Sequence, residues 1–318
     1  MKILCVQPLR GDIFPPFSPY DAPFLAFETE NYRVFFKPAG MHSLPASETT
    51  RRAAIPGSFP DDQGVREEEG KDLLSWVKEE FPAQKGPFTA MKGGESPSHR
   101  RAEKEIGMLS RLDRATSGLI AFARSPEIFF HAQELQAAGR TNKRYWLLAQ
   151  KLPQEEGLIG SRPRRLSWSA GDPLVSGREF SVESLFRSYG PGGYRVACIA
   201  FEPNPGGKRR TKKSTGPGLY RSDFFPAPAL SNSDESSCSG LPDGLALEAS
   251  ITAGFRHQIR AHMAWCGHPI EGDPLYGPSS QGQAAAPTRG RLFLECHRLE
   301  LESPGGGREI FELAGASG

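Results

Sequence analysis

Two short segments hold the residues best suited to chemistry. In the first, Arg111-Leu112-Asp113-Arg114-Ala115-Thr116-Ser117-Gly118, a carboxylate stands between two arginines just before a β-prone run. Flanking positive charge favours the ionised form of Asp113. A charged, partly desolvated aspartate can serve as nucleophile or base. Taken alone, the same pattern also fits a surface turn with local ion pairs. A haloacid-type phosphatase needs a second acid two residues on, where Ala115 stands, and the chain holds no Gly-Lys-Ser/Thr of a Walker loop. The second segment, Ile251 to Met263 (ITAGFRHQIRAHM), reads as a strand, a glycine turn and a helix start. Polar residues crowd that start, where backbone N–H groups face outward and suit a phosphate or another anion. On a helical wheel Arg260 lies beside the apolar stripe, so it is expected half buried and in want of a carboxylate. His257 and His262 stand five apart, which puts them on different helix faces and argues against a metal pair. Each histidine taken singly fits a hydrogen-bonding or packing role.

Several elements must position these residues. Residues 32–37 (YRVFFK) are β-prone and stop at Pro38-Ala39-Gly40. Leu73, Leu74 and Val77 fall at helical spacing within 72–81, and Pro82 ends that helix. Thr116–Arg124 reads as a strand. Ser125-Pro126-Glu127 then supplies an N-cap, a proline at the first helical position and an early acid. Ile128, Ala132 and Leu135 share a face, and Gly139 suits the helix end. Lys143–Gln150 is a strand whose Tyr145, Leu147 and Ala149 oppose Trp146 and Leu148. Tyr194–Phe201 is another. Leu245–Thr252 alternates, with Leu245, Leu247, Ala249 and Ile251 inward. His257–Cys266 suits a short helix, stopped by Gly267 and Pro269. Strands starting at Arg291 and Arg308 follow. Strand-rich text with interspersed helices, without strict βαβ alternation, indicates an α+β fold with a mixed sheet.

Between these elements lie segments that read as insertions near 47–70, 85–105 and 203–244, polar and rich in glycine and proline. The chain has 35 glycines and 28 prolines, an excess that must sit mostly in turns and loops. The run from 203 to 244 is of low complexity and is expected to be mostly mobile. Residues 1–31 read as an N-terminal extended arm. With 318 residues the chain can bury a sizeable core, and it has no apolar run long enough to span a membrane. The N-terminal apolar run is too short for a secretory signal. Five cysteines without a CxxC pair argue against a disulfide framework or zinc knuckle and suggest a reduced, cytoplasmic protein. A net charge of +2 does not by itself announce a nucleic-acid binder.

RLDRATSGL, then KRYWLL, then GFRHQIRAHMAWCGHPIEGDPLYG resemble the RluA-like family of pseudouridine synthases. FFKPAGMHSLP resembles the family's N-terminal Lys-Pro-x-Gly motif, and RLFLECHRLELESP its C-terminal motif. The five matches keep the family's order over about residues 32–313, with the polar insertions unmatched. The resemblance implies a pseudouridine synthase catalytic fold over 32–318, with a largely antiparallel sheet and flanking helices. It also implies isomerisation of uridine in ribosomal or transfer RNA, without cofactor or metal. By that resemblance Asp113 is the catalytic nucleophile, Tyr145 stacks on the target base, Arg260 pairs with Asp113, and Arg111 helps to hold RNA with the base flipped out. Arg114, Thr116, Lys143, Arg256, His257, Gln258 and His262 join Arg111 as expected RNA contacts. A monomer is expected, and there is no room before residue 32 for the S4-type domain that some members carry.

Two positions depart from the family pattern. Ser110 stands where histidine usually precedes Arg-Leu-Asp. The usual Thr-Gly-Arg-Thr/Ser before HQIR is Ala253-Gly254-Phe255-Arg256, which moves the basic residue by one place. Further basic groups suited to RNA are His99-Arg100-Arg101, Lys143-Arg144 and the Lys208–Lys213 cluster. An alternative reading is an RNA-binding or RNA-folding factor that keeps the scaffold without turnover. An unrelated aspartate-dependent hydrolase lacks its second carboxylate motif, metal cluster or nucleophile elbow.

Overall fold

The computed structural model describes residues 20–45, 71–89, 96–150, 177–189, 195–200, 218–227, 244–277 and 291–313. The expected insertion at 47–70, the Lys208–Lys213 cluster and the first 19 residues lie outside them. The fold is mixed α+β, with largely antiparallel strand pairing and flanking helices. The chain divides into two compact units: Ser18–Lys143 with Glu295–Gly318, and Arg144–Leu294. Among the described residues no helix is long and apolar enough to cross a membrane.

In the first unit β1 (Phe24–Glu28) and β2 (Tyr32–Lys37) form an antiparallel pair. Residues 24–28 of the expected arm are therefore a sheet strand. β2 continues antiparallel onto β3 (Ser117–Ala123), from Tyr32↔Ala123 to Lys37↔Gly118. All seven β3 residues are buried, as befits a strand between two neighbours. Its other neighbour is β9 (Leu294–Glu302), paired in parallel at Ser117↔Glu295 and Gly118↔Cys296. Gly118 has φ +120°, and a Cβ there would press into the Cys296 backbone, so this crossing requires glycine. β10 (Arg308–Glu312) pairs antiparallel with β9.

The helices of this unit begin where side chains cap them. Asp72 accepts from Ser75 N at 3.0 Å to open α1 (Leu73–Glu80), which buries Leu73, Leu74 and Val77. Phe35 of β2 meets Trp76, Phe81 and Phe122 edge-on at 6.0, 5.0 and 5.2 Å. The polar stretch 85–105 is not a loop throughout. It holds most of α2 (Pro82–Thr89) and all of α3 (Pro97–Lys104). Tertiary contact overrides the poor local pattern. Phe88 and Gln84 are buried, and Gln84 Nε2 donates to the carbonyls of Ile106 and Ala123 at 2.9 and 2.6 Å. α4 (Pro126–Ala137) opens on the Ser125 cap and closes at Gly139, φ +70°. Its buried face runs through Phe129, Ala132 and Leu135, leaving Ile128 half buried.

In the second unit the strand order is β4 (Asn142–Gln150, its first two residues counted with the first unit), β8 (Gly244–Ile251), β7 (Tyr220–Pro226), β5 (Phe180–Tyr189) and β6 (Arg195–Ile199). β6 with β5, β5 with β7, and β7 with β8 pair antiparallel. β7 lies within the 203–244 run that the sequence suggests is mostly mobile, and the segment 220–226 is a sheet strand. Ser222 and Phe224 are buried there, and Phe224 stacks on Phe180 at 4.8 Å. The rest of that run lies outside the described residues. α5 (Gln258–Cys266) is buried at all nine positions and ends on Gly267, φ +86°.

Candidate active site

Asp113 occupies a turn that the β2 exit loop holds from one side. Ser43 Oγ donates to Leu112 O at 2.7 Å and accepts from Leu112 N at 3.1 Å. Gly40 N donates to Arg114 O at 2.8 Å, while Arg114 Nε donates to Gly40 O at 2.9 Å. Thr116 N closes the turn on Asp113 O at 3.1 Å. The carboxylate is half buried at the N-terminal end of β3. A rigid, partly desolvated carboxylate is the geometry that nucleophilic attack requires.

The positive charge around this turn is arranged differently from its order in sequence. Arg111, half exposed, pairs with the buried carboxylate of Glu105. Arg101 donates to Glu105 at 3.1 Å and to Gln133, Met108 O and Leu109 O. Arg101 is thus a brace within the fold. Arg100 is exposed, and His99 bonds Ser96 Oγ at 2.6 Å.

Lys37, which the sequence places in a motif without a role, is a buried charge that interacts electrostatically with Asp113 within the unit. Its side chain is fully buried at the end of β2. It donates to the carbonyls of Pro38, Met41 and Arg114 at 2.9, 2.8 and 3.3 Å. Burial pushes its ammonium down to about 7, the Asp113 carboxylate pulling it back up and Arg114 adding to the fall. A lysine closing a β-prone run just before proline was the available signal.

In the second unit Arg260 is fully buried, not half buried as the helical wheel suggests, because every residue of α5 is enclosed. Its guanidinium grips Asp273 through Nε and Nη2 at 2.8 and 2.7 Å. Asp273 Oδ1 also accepts from Leu275 N and Tyr276 N at 2.8 and 3.1 Å. Burial pushes the Asp273 carboxyl up, but Arg260 and those N–H groups outweigh it and hold it below the ordinary range. The Tyr276 ring lies under the guanidinium at 5.4 Å, and its hydroxyl accepts from Val196 N at 2.9 Å. Asp273 is the partner that reading Arg260 alone missed. Its signal was the Gly-Asp-Pro-Leu-Tyr-Gly run.

The residues just before that run, Pro269 to Glu271, brace the strand that carries Tyr145. Gln150 N donates to Pro269 O and Glu271 N to Leu148 O, both at 2.8 Å, around an Ala149↔Ile270 bridge. Tyr145 itself is buried on β4, and Arg144 pairs with Glu248 at 2.9 Å.

The expected RNA contacts divide by exposure. Arg111, Arg114 and Arg256 are exposed. Lys143 is half buried, and burial lowers its ammonium, with Cys296 opposing and Arg101 adding. Thr116, His257, Gln258 and His262 are buried. His262 bonds Ser184 and Ser222 through both ring nitrogens at 2.9 Å, and burial drives it down to about 3. Gln258 accepts from Phe255 N at 2.9 Å and donates to Arg221 O and Ser222 Oγ. His257 Nδ1 meets the Tyr276 hydroxyl at 3.1 Å. These three side chains tie α5 to its surroundings.

An α+β fold that mounts an aspartate on a pinned turn at a strand end, and in its second unit an arginine-bearing helix, defines a class of enzyme-like scaffolds. The comparisons narrow it. The family model for RNA pseudouridylate synthase matches residues 31–265, and the chain belongs to that family. It is 29% identical over 208 residues to an uncharacterized RNA pseudouridine synthase of Chloroflexus aurantiacus, covering 65% of this chain and 48% of that one. It is 25% identical over 195 residues to tRNA pseudouridine synthase C of Vibrio parahaemolyticus, 61% and 63% of the two chains. A shorter match, 40% over 65 residues, is to ribosomal large subunit pseudouridine synthase D of Nitrosomonas europaea, 20% and 19% of the two. The chain thus spans about half of the first relative's length and less of the ribosomal one. Human RNA pseudouridylate synthase domain containing 1 shares the fold, with TM-score 0.50 at 15% identity over 93% of this chain and 84% of that one.

Proposed function

We propose that this chain is an RluA-like enzyme that isomerises specific uridines of ribosomal or transfer RNA to pseudouridine. The observation that carries the reading is Asp113, held in its turn by Ser43, Gly40 and Thr116 and standing in the Arg-Leu-Asp motif. The reaction breaks the bond between uracil N1 and ribose C1′, turns the base, and joins C5 to C1′. The proton on C5 is lost and N1 gains one. Asp113 attacks the sugar or the ring, so that the base can detach and rejoin.

Tyr145 stacks on the base once it has left its helix, which offsets part of the cost of flipping by roughly 1–3 kcal/mol. Arg260 pairs with Asp113. Arg111, Arg114, Lys143 and Arg256 hold the phosphate backbone. A cytoplasmic location, expected from the cysteine pattern of the sequence, is part of the proposal.

Asp113→Asn tests the proposal. RNA tritiated at uracil C5 releases label only when C5 loses its hydrogen. The variant should release none while still binding RNA. Turnover by a clean Asn preparation removes Asp113 from the nucleophile's role. Binding without release by the wild-type protein, on every RNA class offered, favours the RNA-binding factor.

A further inference from the structure

We propose that Phe255 and Tyr220 form a stacking platform for an unpaired RNA base, with Arg256 taking the adjoining phosphate. This rests on the reading of the chain as an RNA-modifying enzyme and adds a subsite of its own. It lies within the second unit and begins from the departure at Phe255, where the resembling family usually has a basic residue.

One face of β5 and β7 grades from interior to rim. On β5 this face carries Ser184, Phe186 and Ser188, two residues apart. On β7 it carries Ser222 and Tyr220, with Ser184 opposite Tyr220 in register. The inner end is sealed, because His262 bridges the buried Ser184 and Ser222. In the middle, Phe186 is fully buried and stacks against His262 at 5.1 Å. Beyond it Phe255 lies parallel on Phe186, centroids 4.9 Å apart and planes 5° apart. At the rim Arg256 reaches Ser188 Oγ at 3.4 Å. The sequence of environments is therefore buried polar, buried aromatic, half-buried aromatic, exposed cation.

Among the described residues the two neighbouring rings leave one face of Phe255 uncovered. Tyr220 stands 5.1 Å from Phe255 and 5.6 Å from Phe186, tilted by 55° and 51°. Being nearly equidistant from both, it flanks the stacked pair and does not cap it. Neither ring covers the outer face of Phe255, and both Phe255 and Tyr220 are half buried. Leu219, which precedes Tyr220, is 42% exposed. Phe186, with no exposure at all, fixes the plane of Phe255 from behind. A flat, preoriented apolar face beside an exposed guanidinium matches a base joined to its phosphate. The basic residue displaced from 255 to 256 keeps the charge, and the vacated place supplies the stacking surface.

The probe is a short single-stranded uridine-rich RNA carrying one 2-aminopurine, whose fluorescence falls when it stacks. Wild-type protein should bind it and quench it. Phe255→Leu keeps Phe186 covered but removes the π-face. It should lose the quench and bind roughly 5- to 100-fold more weakly, and Phe255→Trp should restore both. Arg256→Gln should keep the quench while binding more weakly and with a shallower salt dependence. Binding and quenching by Phe255→Leu equal to wild type overturn the platform. Tritium release by the wild-type protein, measured alongside, separates the two ideas. Turnover with a silent Phe255 leaves the enzyme reading standing and removes the platform. Phe255-dependent quenching without turnover does the reverse.

Discussion

Lys37 shows how a single buried charge can be read in a stability curve. Its ammonium has no exposure and three carbonyl acceptors, and its pKa falls from 10.5 to about 7 because burial outweighs the attraction of Asp113. Between those two values the unfolded chain binds a proton that the native protein does not. Stability must therefore rise with pH across that window, and below it the cost of burying the charge is borne in full. Lys37→Met removes the titration. The urea midpoint of the variant should climb less from pH 7 to pH 9 than that of the wild type. The slope is the readout, since methionine also leaves three carbonyls without their donor. Parallel slopes would mean that Lys37 is charged throughout. No sequence reading reaches this result, because a strand-end lysine reads as exposed until the loop 38–43 is seen to fold over it.

At the scale of elements, the join between α5 and the loop that follows it rests on Arg260 and Asp273, both almost wholly buried. Removing one partner of such a pair strands the other charge in the interior, at about 3–5 kcal/mol. Asp273→Asn should lower the denaturation midpoint accordingly. A double variant, Asp273→Asn with Arg260→Met, should recover part of the loss because neither charge of this buried pair is then left in the interior. An Asp273→Asn protein as stable as the wild type would show that the pair contributes little.

Elements with local signals were legible in the sequence. The Ser125 cap with Pro126 marks α4, the alternation of 245–252 marks β8, and Gly267 ends α5. Elements specified by distant contacts were not. β7 lies in a low-complexity run and is held by pairing with β5 and β8. α2 contains Gly86 and Pro87, yet it is anchored by Gln84 bonding two distant carbonyls. The site divides the same way. Asp113, Tyr145 and Arg260 stand in motifs that imply a role; Lys37 and Asp273 also stand in motifs, but their part, like that of Glu105, comes from burial, which spacing does not encode.

For the molecule as a whole, the buried titratable groups pull the stability curve in one direction through the acid range. His262 is pushed down to about 3, so the unfolded chain binds its proton below pH 6.5 and the native protein does not. Stability therefore falls as pH drops through that window. The lowered Asp273 carboxyl acts in the same sense at the acid end, its contribution disappearing as pH falls through its native pKa. Lys37 extends the rise above pH 7. The opposing groups begin later. Burial raises Cys198 from 9.0 to about 12 and Tyr32 from 10.0 to about 12, and Tyr276 also rises. Each costs stability only once the unfolded chain starts to ionise it. The maximum should accordingly lie between pH 7 and 9, on the alkaline side of neutrality. A series of urea denaturation curves from pH 4 to pH 10 tests this. His262→Gln should flatten the acid limb and leave the alkaline limb unchanged, and Lys37→Met should flatten only the rise above pH 7. A maximum at pH 5 or 6 would mean that neither buried group is held neutral, and that carboxylate pairs alone set the curve.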